Sequence, residues 1–256
     1  MYIVGIYDLK KDKETLAGPL VAALGVTNYE ALSRLRTPGE GPLIVAVIAL
    51  KEKAVTIVEK LKSAGFNATV LADEDIESES SARIVRRFSF SEQDLVVEAG
   101  NEKKISIPFK AIHLILRGTG IDSSTSTETV KNRSLNLGRA VFSGGLILSK
   151  TTKNVREVTT EEREAFLNLY SGDSPILVFR ENSLVYDSLG AAMKLSRKEN
   201  FAYLVSEFRR LCPGAKYDER LLTRPTQVGI LGPVLNPEKN LSTATALLAK
   251  VLRGRA

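Results

Sequence analysis

Between residues 1 and 73, short β-branched runs alternate with stretches in which apolar residues recur three and four positions apart. The first pattern marks strands and the second marks amphipathic helices. YIVGIY reads as a strand. ETLAGPLVAALG and TNYEALSRL read as two helices, the second opened by Thr27 with Glu30 three residues on, the pairing of a capping box. PLIVAVIAL, residues 42–50, is a buried strand by its length and its flanking Gly and Pro. KEKAVTIVEKLKSAGF gathers Ala54, Val55, Ile57, Val58, Leu61 and Ala64 on one face and ends at Gly65, a residue suited to a helix C-cap. NATVLA supplies a third strand. Two right-handed crossovers would lay the helices on one face of a three-stranded sheet, so residues 1–73 are expected to form a small α/β sandwich.

The pattern changes at DEDIESESS, residues 73–81, an acidic and serine-rich segment with one apolar residue; 74–81 is expected to be a linker. Over residues 82–222 strand signals dominate. RIVRRFSF, DLVVEA and KKISIPF follow one another, the last two joined through Gly100 and Asn101, which suit a tight hairpin. AIHLILRG continues the sheet, and further strands are expected at LILSK, EREAFLNLY, ILVFRE and SLVYDSL. TGIDSSTSTET, residues 119–129, is too polar to join a core and reads as a long loop. The Pro and Gly residues of PTQVGILGPVLNP, residues 225–237, argue against helix. The whole is expected to be an α+β protein.

Two helices stand out in the second part. Over 197–212, Phe201, Leu204, Val205, Phe208, Leu211 and Cys212 form one apolar face, opened by Ser196 and Glu199 as a capping box and closed by Pro213 and Gly214. Cys212 therefore belongs to the buried stripe. It sits at the C-terminal end, where the helix dipole disfavours a thiolate, so packing is the expected role rather than nucleophilic attack. In the last segment, 223–256, Asn236 and Pro237 suit the start of a helix whose apolar face is Ala244, Leu247, Leu248, Val251 and Leu252, with Gly254 just past its end. That stripe is expected to dock on its own domain, with self-association as the alternative.

Composition adds a few limits. The chain has 256 residues, 43% of them apolar, enough for one large or two ordinary domains. Its one cysteine excludes an intrachain disulfide and favours a reducing compartment, and MYIVGIYDLKK does not read as a signal peptide, so a cytoplasmic location is expected. The longest apolar run is about half a bilayer span. Charge is uneven: residues 1–81 carry a net −3 and residues 82–256 a net +9. That asymmetry is compatible with attraction to nucleic acid, anionic lipid or an acidic protein, and equally with a solvated surface.

Motifs for catalysis are mostly missing. A single histidine, His113, rules out metal motifs that need two, and no cofactor or metal is expected. His113 falls on a strand, opposite Ile112, Leu114 and Leu116 in the alternation, and reads as a surface or half-buried residue. GRAVFSGGLILSKT, residues 138–151, has the composition of a phosphate loop but no Gly before Lys150, and Val141 stands where a nucleophile elbow around Ser143 would need Gly. Gly144 and Gly145 more simply make a turn. YDER, residues 217–220, would point its two carboxylates about 100° apart on a helix, unsuited to an acid/base pair. RRFSF, residues 86–90, is the one short stretch that interleaves basic and aromatic residues as single-strand binders do, although Phe88 and Phe90 also suit a core.

The order of elements over 1–73, with LGVTNYEA at 24–31, GEG at 39–41 and KAVTIVEKLKSAGFNATV at 53–70, resembles the fold shared by the C-terminal domain of the bacterial ribosomal stalk protein and the protease adaptor ClpS. The resemblance implies a non-catalytic docking module. The ligand residues of ClpS do not carry over, because Asp8, Leu9 and Lys10 and then Thr37 and Pro38 occupy the places of its ligand residues. Residues 82–222, several strands closed by the helix at 197–212, are similar to the pleckstrin-homology-like barrel, which implies peptide or phosphoinositide binding. The chain departs from that family in lacking its helix tryptophan. The expected function is a non-enzymatic adaptor or scaffold for another protein, with nucleic-acid or anionic-membrane binding as the alternative. The basic surface for either would draw on Arg86, Arg87, Lys103, Lys104, Lys150 and Lys153.

Overall fold

The computed structural model describes residues 1–10, 12–36, 41–76, 82–99, 104–134, 150–172 and 175–254, with backbone alone for residues 99, 121–134 and 150–162. The chain divides into two compact units, one made of Met1–Gly120 with Glu164–Ala256 and the other of Ile121–Arg163.

The first unit begins with strand β1 (Tyr2–Tyr7), helices α1 (Lys13–Leu24) and α2 (Asn28–Leu35), strand β2 (Leu43–Ile48), helix α3 (Lys51–Ser63) and strand β3 (Asn67–Ala72). These are the elements that periodicity predicts. The capping box of α2 is formed, with the Glu30 N–H donating to Thr27 Oγ1 at 3.2 Å and the Thr27 N–H to Glu30 Oε2 at 2.8 Å. The sheet order is β2-β1-β3, and β1 is antiparallel to both neighbours. The α1–α2 connection therefore joins antiparallel strands and is not a crossover, whereas β2 and β3, each antiparallel to β1, run parallel to one another with α3 crossing between them, so one of the two expected crossovers is present. The three helices do share one face, where Val4, Ile6, Leu43 and Val45 are buried with Leu16, Leu20, Ala54 and Leu61.

A second sheet contains β4 (Arg83–Phe90), β5 (Asp94–Ala99), β6 (Ile105–Pro108), β7 (Ile112–Ser134), β8 (Lys150–Ser171), β9 (Leu177–Arg180) and β10 (Lys216–Leu221), in the order β10-β7-β8-β9-β4-β5-β6. Three helices accompany it: α4 (Arg197–Leu211), α5 (Arg224–Leu231) and α6 (Leu241–Arg253). The sheet is open, with β10 and β6 at its edges, so the closed barrel expected for 82–222 is not what these strands form. The physical reason lies in the burial pattern. A barrel hides one face of its sheet, whereas here both faces carry apolar residues: Val85, Phe88, Ile115, Leu167 and Phe179 lie under α4, and Leu114, Leu116 and Leu221 lie under α5 and α6.

That second face also closes the first sheet. Ile3, Ile44 and Leu71, on the side of the first sheet away from α1–α3, share one cluster with Leu114, Leu116, Leu221 and α6 residues Ala244, Leu247, Leu248 and Val251. The layers within this unit are thus α1–α3, first sheet, α5 with α6, second sheet, and α4. Lys250 on α6 reaches Asp75, just after β3, at 3.1 Å and holds its carboxyl below the usual range. Nine of the thirteen residues of α6 are buried, which leaves no free stripe for the self-association considered above. Residues 1–73 belong to the same compact unit as 82–120. Of the expected linker, Glu74 and Asp75 lie in a 3-10 turn with Ile76 packed against this cluster, and 77–81 lie outside the described residues.

Four local expectations are corrected. Residues 119–129 are strand, part of β7: threonine favours extended backbone, and a polar strand can satisfy its ladder without entering a core. SLVYDSL is not a strand but a turn running into a 3-10 stretch at Asp187–Ala192, its Leu184, Tyr186 and Leu189 filling the core under α4. PTQVGILGPV contains helix α5, because Pro225 falls in the first turn, where no intrahelical N–H is needed, and Gly232 closes the helix at φ 62°. YDER lies in strand β10, not on a helix. The second unit consists, where described, of the later part of β7 and the earlier part of β8. Residues 138–149, including Ser143, Gly144, Gly145 and most of LILSK, lie outside the described residues.

Candidate functional site

Of the residues expected to form a basic surface, Arg86, Arg87 and Lys104 have described side chains. Arg86 and Arg87 are exposed on β4, Arg86 at the register shift between Val85 and Arg87. Arg87 and Lys104 line one small cleft of about 190 Å³, but Glu98 and Asp187 line it too, and Glu98 Oε1 takes Lys104 Nζ at 3.2 Å. Two cations facing two acids make a neutralised cleft, not an anion site. Lys150 and Lys153 lie on β8, where backbone alone is described, and Lys103 lies outside the described residues. The aromatics of RRFSF are turned inward. Phe90 meets Phe208 of α4 edge-on at 5.5 Å between ring centroids, and Phe88 is 6.2 Å from Phe179, so they form part of an aromatic core and cannot act as a stacking platform.

In YDER the alternation of the strand separates the carboxylates. Glu219 accepts from Tyr217 Oη at 2.6 Å and from Arg117 Nη1 at 3.0 Å, and these two bonds hold its carboxyl below the usual range. Asp218 takes Arg220 in a two-pronged pair. Arg220 also donates to the carbonyl of Gly41 just ahead of β2, so it bridges β10 to the first sheet. These groups tie elements together.

Cys212 and His113, far apart in sequence, line the same cleft. It lies where α4 ends over the start of β7, with Phe109 and Ile112 on one side and Leu211 and Pro213 on the other. Cys212 is 4% exposed, and burial pushes its thiol up to about 11. A neutral thiol at neutral pH is a poor nucleophile, in keeping with the packing role. Alkylation of this sole thiol is expected to climb about tenfold per pH unit still at about pH 9.5, where an ordinary thiol has levelled off. Initial rates of maleimide addition, followed by mass spectrometry, check this.

The feature that the sequence reading missed precedes α4. Leu195 is fully exposed and Met193 is 53% exposed, side by side in a short loop. The loop is held in place from below: the Lys194 N–H donates to Asn200 Oδ1 at 2.6 Å, and Asn200 Nδ2 donates to the Lys194 carbonyl at 3.1 Å. Asn200 itself is buried. Ser196 and Glu199 fix the helix start immediately afterwards. A leucine just before an N-cap ordinarily packs on the residue four places into the helix. Here that place is taken by Asn200, which clamps backbone instead, so Leu195 has no staple partner. The signal in the sequence was MKL, apolar residues outside any periodic element, ahead of a capping box. No helix among the described residues is long and apolar enough to cross a membrane. No protein-family model, curated protein or solved structure matches this chain.

Proposed function

We propose that the protein is a non-enzymatic adaptor that holds another protein through Met193 and Leu195. The observation that carries this reading is the pinned, exposed pair itself. A buried asparagine spends both of its amide hydrogen bonds on the backbone between two apolar side chains that touch solvent. Neither side chain contributes to the core, and ordering exposed apolar groups in advance favours binding by lowering its entropic cost. Lys194 and Lys198 are exposed beside them, whereas Arg197 is engaged with the carbonyls of Asn182 and Leu184. The partner that fits is a protein with an apolar pocket and an acidic rim.

The test compares the intact chain with a Met193→Asp, Leu195→Asp variant as baits after nuclease treatment, followed by titration of the purified partner. Because both positions are exposed, the variant is expected to unfold at the same temperature. Affinity for the partner is expected to fall about thirtyfold or more, as for a hot-spot pair. An identical partner profile for both baits, retention that vanishes with nuclease, or binding only to anionic vesicles would overturn the reading.

A further inference from the structure

The cleft shared by His113 and Cys212 has a volume of about 510 Å³, within the range of small-molecule sites. Its walls are mainly apolar, and its polar chemistry is one-sided. Lys110 is exposed at the cleft, and among the described residues no acid pairs with it. Among the described residues no Asp or Glu lines the cleft. The C-terminus of α4 brings a partial negative charge, which Arg209 in its last turn offsets, while Arg210 there is paired with Glu207 at 2.6 Å. A cationic ligand would meet Lys110 with no acid to receive it. An uncharged apolar ligand would fill the walls but gain nothing from the ammonium. A negative head on an apolar body satisfies both wall and cation.

We propose that this cleft binds a small organic acid with a hydrocarbon body, an aliphatic or aromatic monocarboxylate. The carbons lie between Phe109, Ile112 and Leu211, the carboxylate meets Lys110, and His113 stands at the wall as a second polar group. The site is independent of the Met193 and Leu195 pair, so either proposal can fail alone.

Because the chain has one histidine and one cysteine, both reporters of the cleft are free of background. Octanoate is titrated into the full chain while the His113 imidazole resonances and the rate of Cys212 alkylation by N-ethylmaleimide are followed, with 1-octanol as the uncharged counterpart. Octanoate is expected to shift the His113 signals and to slow alkylation in one saturable process. Lys110→Ala, an exposed substitution, is expected to raise its Kd about tenfold, the loss of one charge-assisted hydrogen bond, and to leave octanol unaffected. Octanoate that moves neither reporter, octanoate and octanol that bind equally, or a Kd unchanged by Lys110→Ala would each overturn the proposal.

Discussion

Replacing Leu247 by alanine is expected to lower the free energy of unfolding by about 4 kcal/mol, toward the upper part of the range for buried leucines. Leu247 is fully buried in α6, in the cluster that joins the outward face of the first sheet to the second sheet. The fit is close: a Cβ placed on Gly5 of β1 would lie 2.9 Å from a Leu247 methyl carbon. A cavity there is walled by strands on two sides, each held by its own ladder, so the site cannot collapse to refill it. Urea unfolding with an unchanged m-value is the measurement. Leu50→Ala, at an exposed position, is the control and is expected to shift stability by no more than about 0.5 kcal/mol. A loss below about 2 kcal/mol for Leu247→Ala would mean that α6 is not gripped between the sheets.

Gly118→Ala is expected to be nearly as damaging, about 3 kcal/mol, by overpacking. On β7 a Cβ at this position would lie 2.3 Å from Phe166 Cζ and 2.8 Å from Leu221 Cβ. The phenyl ring can swing away, but Leu221 Cβ is fixed to the backbone of β10, which pairs with β7 at this residue. Either the two strands separate locally or β10 shifts. Gly120→Ala, two residues further along, meets only Leu241 Cδ2 at 3.6 Å, an ordinary contact, and is expected to be nearly neutral. Equal stability of the two variants in the same urea series would remove the argument that β10 is tightly laid against β7.

What periodicity could reach was local. α2, α3 and α4 announce themselves by apolar spacing and by caps such as Thr27 with Glu30 and Ser196 with Glu199, and their structures follow; α6 has the expected apolar face but starts at Leu241 with Asn240 as its N-cap, not at Asn236 and Pro237. The misread segments are those whose state is set by distant neighbours. KYDERL has no strand signal of its own; it is extended because it pairs with Leu114–Gly118, about a hundred residues earlier. SLVYDSL has the signal, but its backbone meets β4 through a single bond, from the Val185 N–H to the Arg86 carbonyl, and no ladder forms. The same limit applied to the sites. Cys212 could be placed on a buried face from its spacing, whereas its meeting with His113 depends on how α4 lies over β7. The exposure of Leu195 was hidden because an unpartnered leucine looks in sequence like any other.

The position of α6 bears on how the molecule is made. Ile3, Ile44 and Leu71 are synthesised early, yet the helix that covers them, Leu241–Arg253, emerges some 170 residues after Leu71. A nascent chain that has completed its first sheet therefore carries an uncovered apolar face until α6 has emerged, as an aggregation-prone intermediate does. Chaperone occupancy on ribosome-bound chains should begin once β3 has left the exit tunnel and end only with the release of α6.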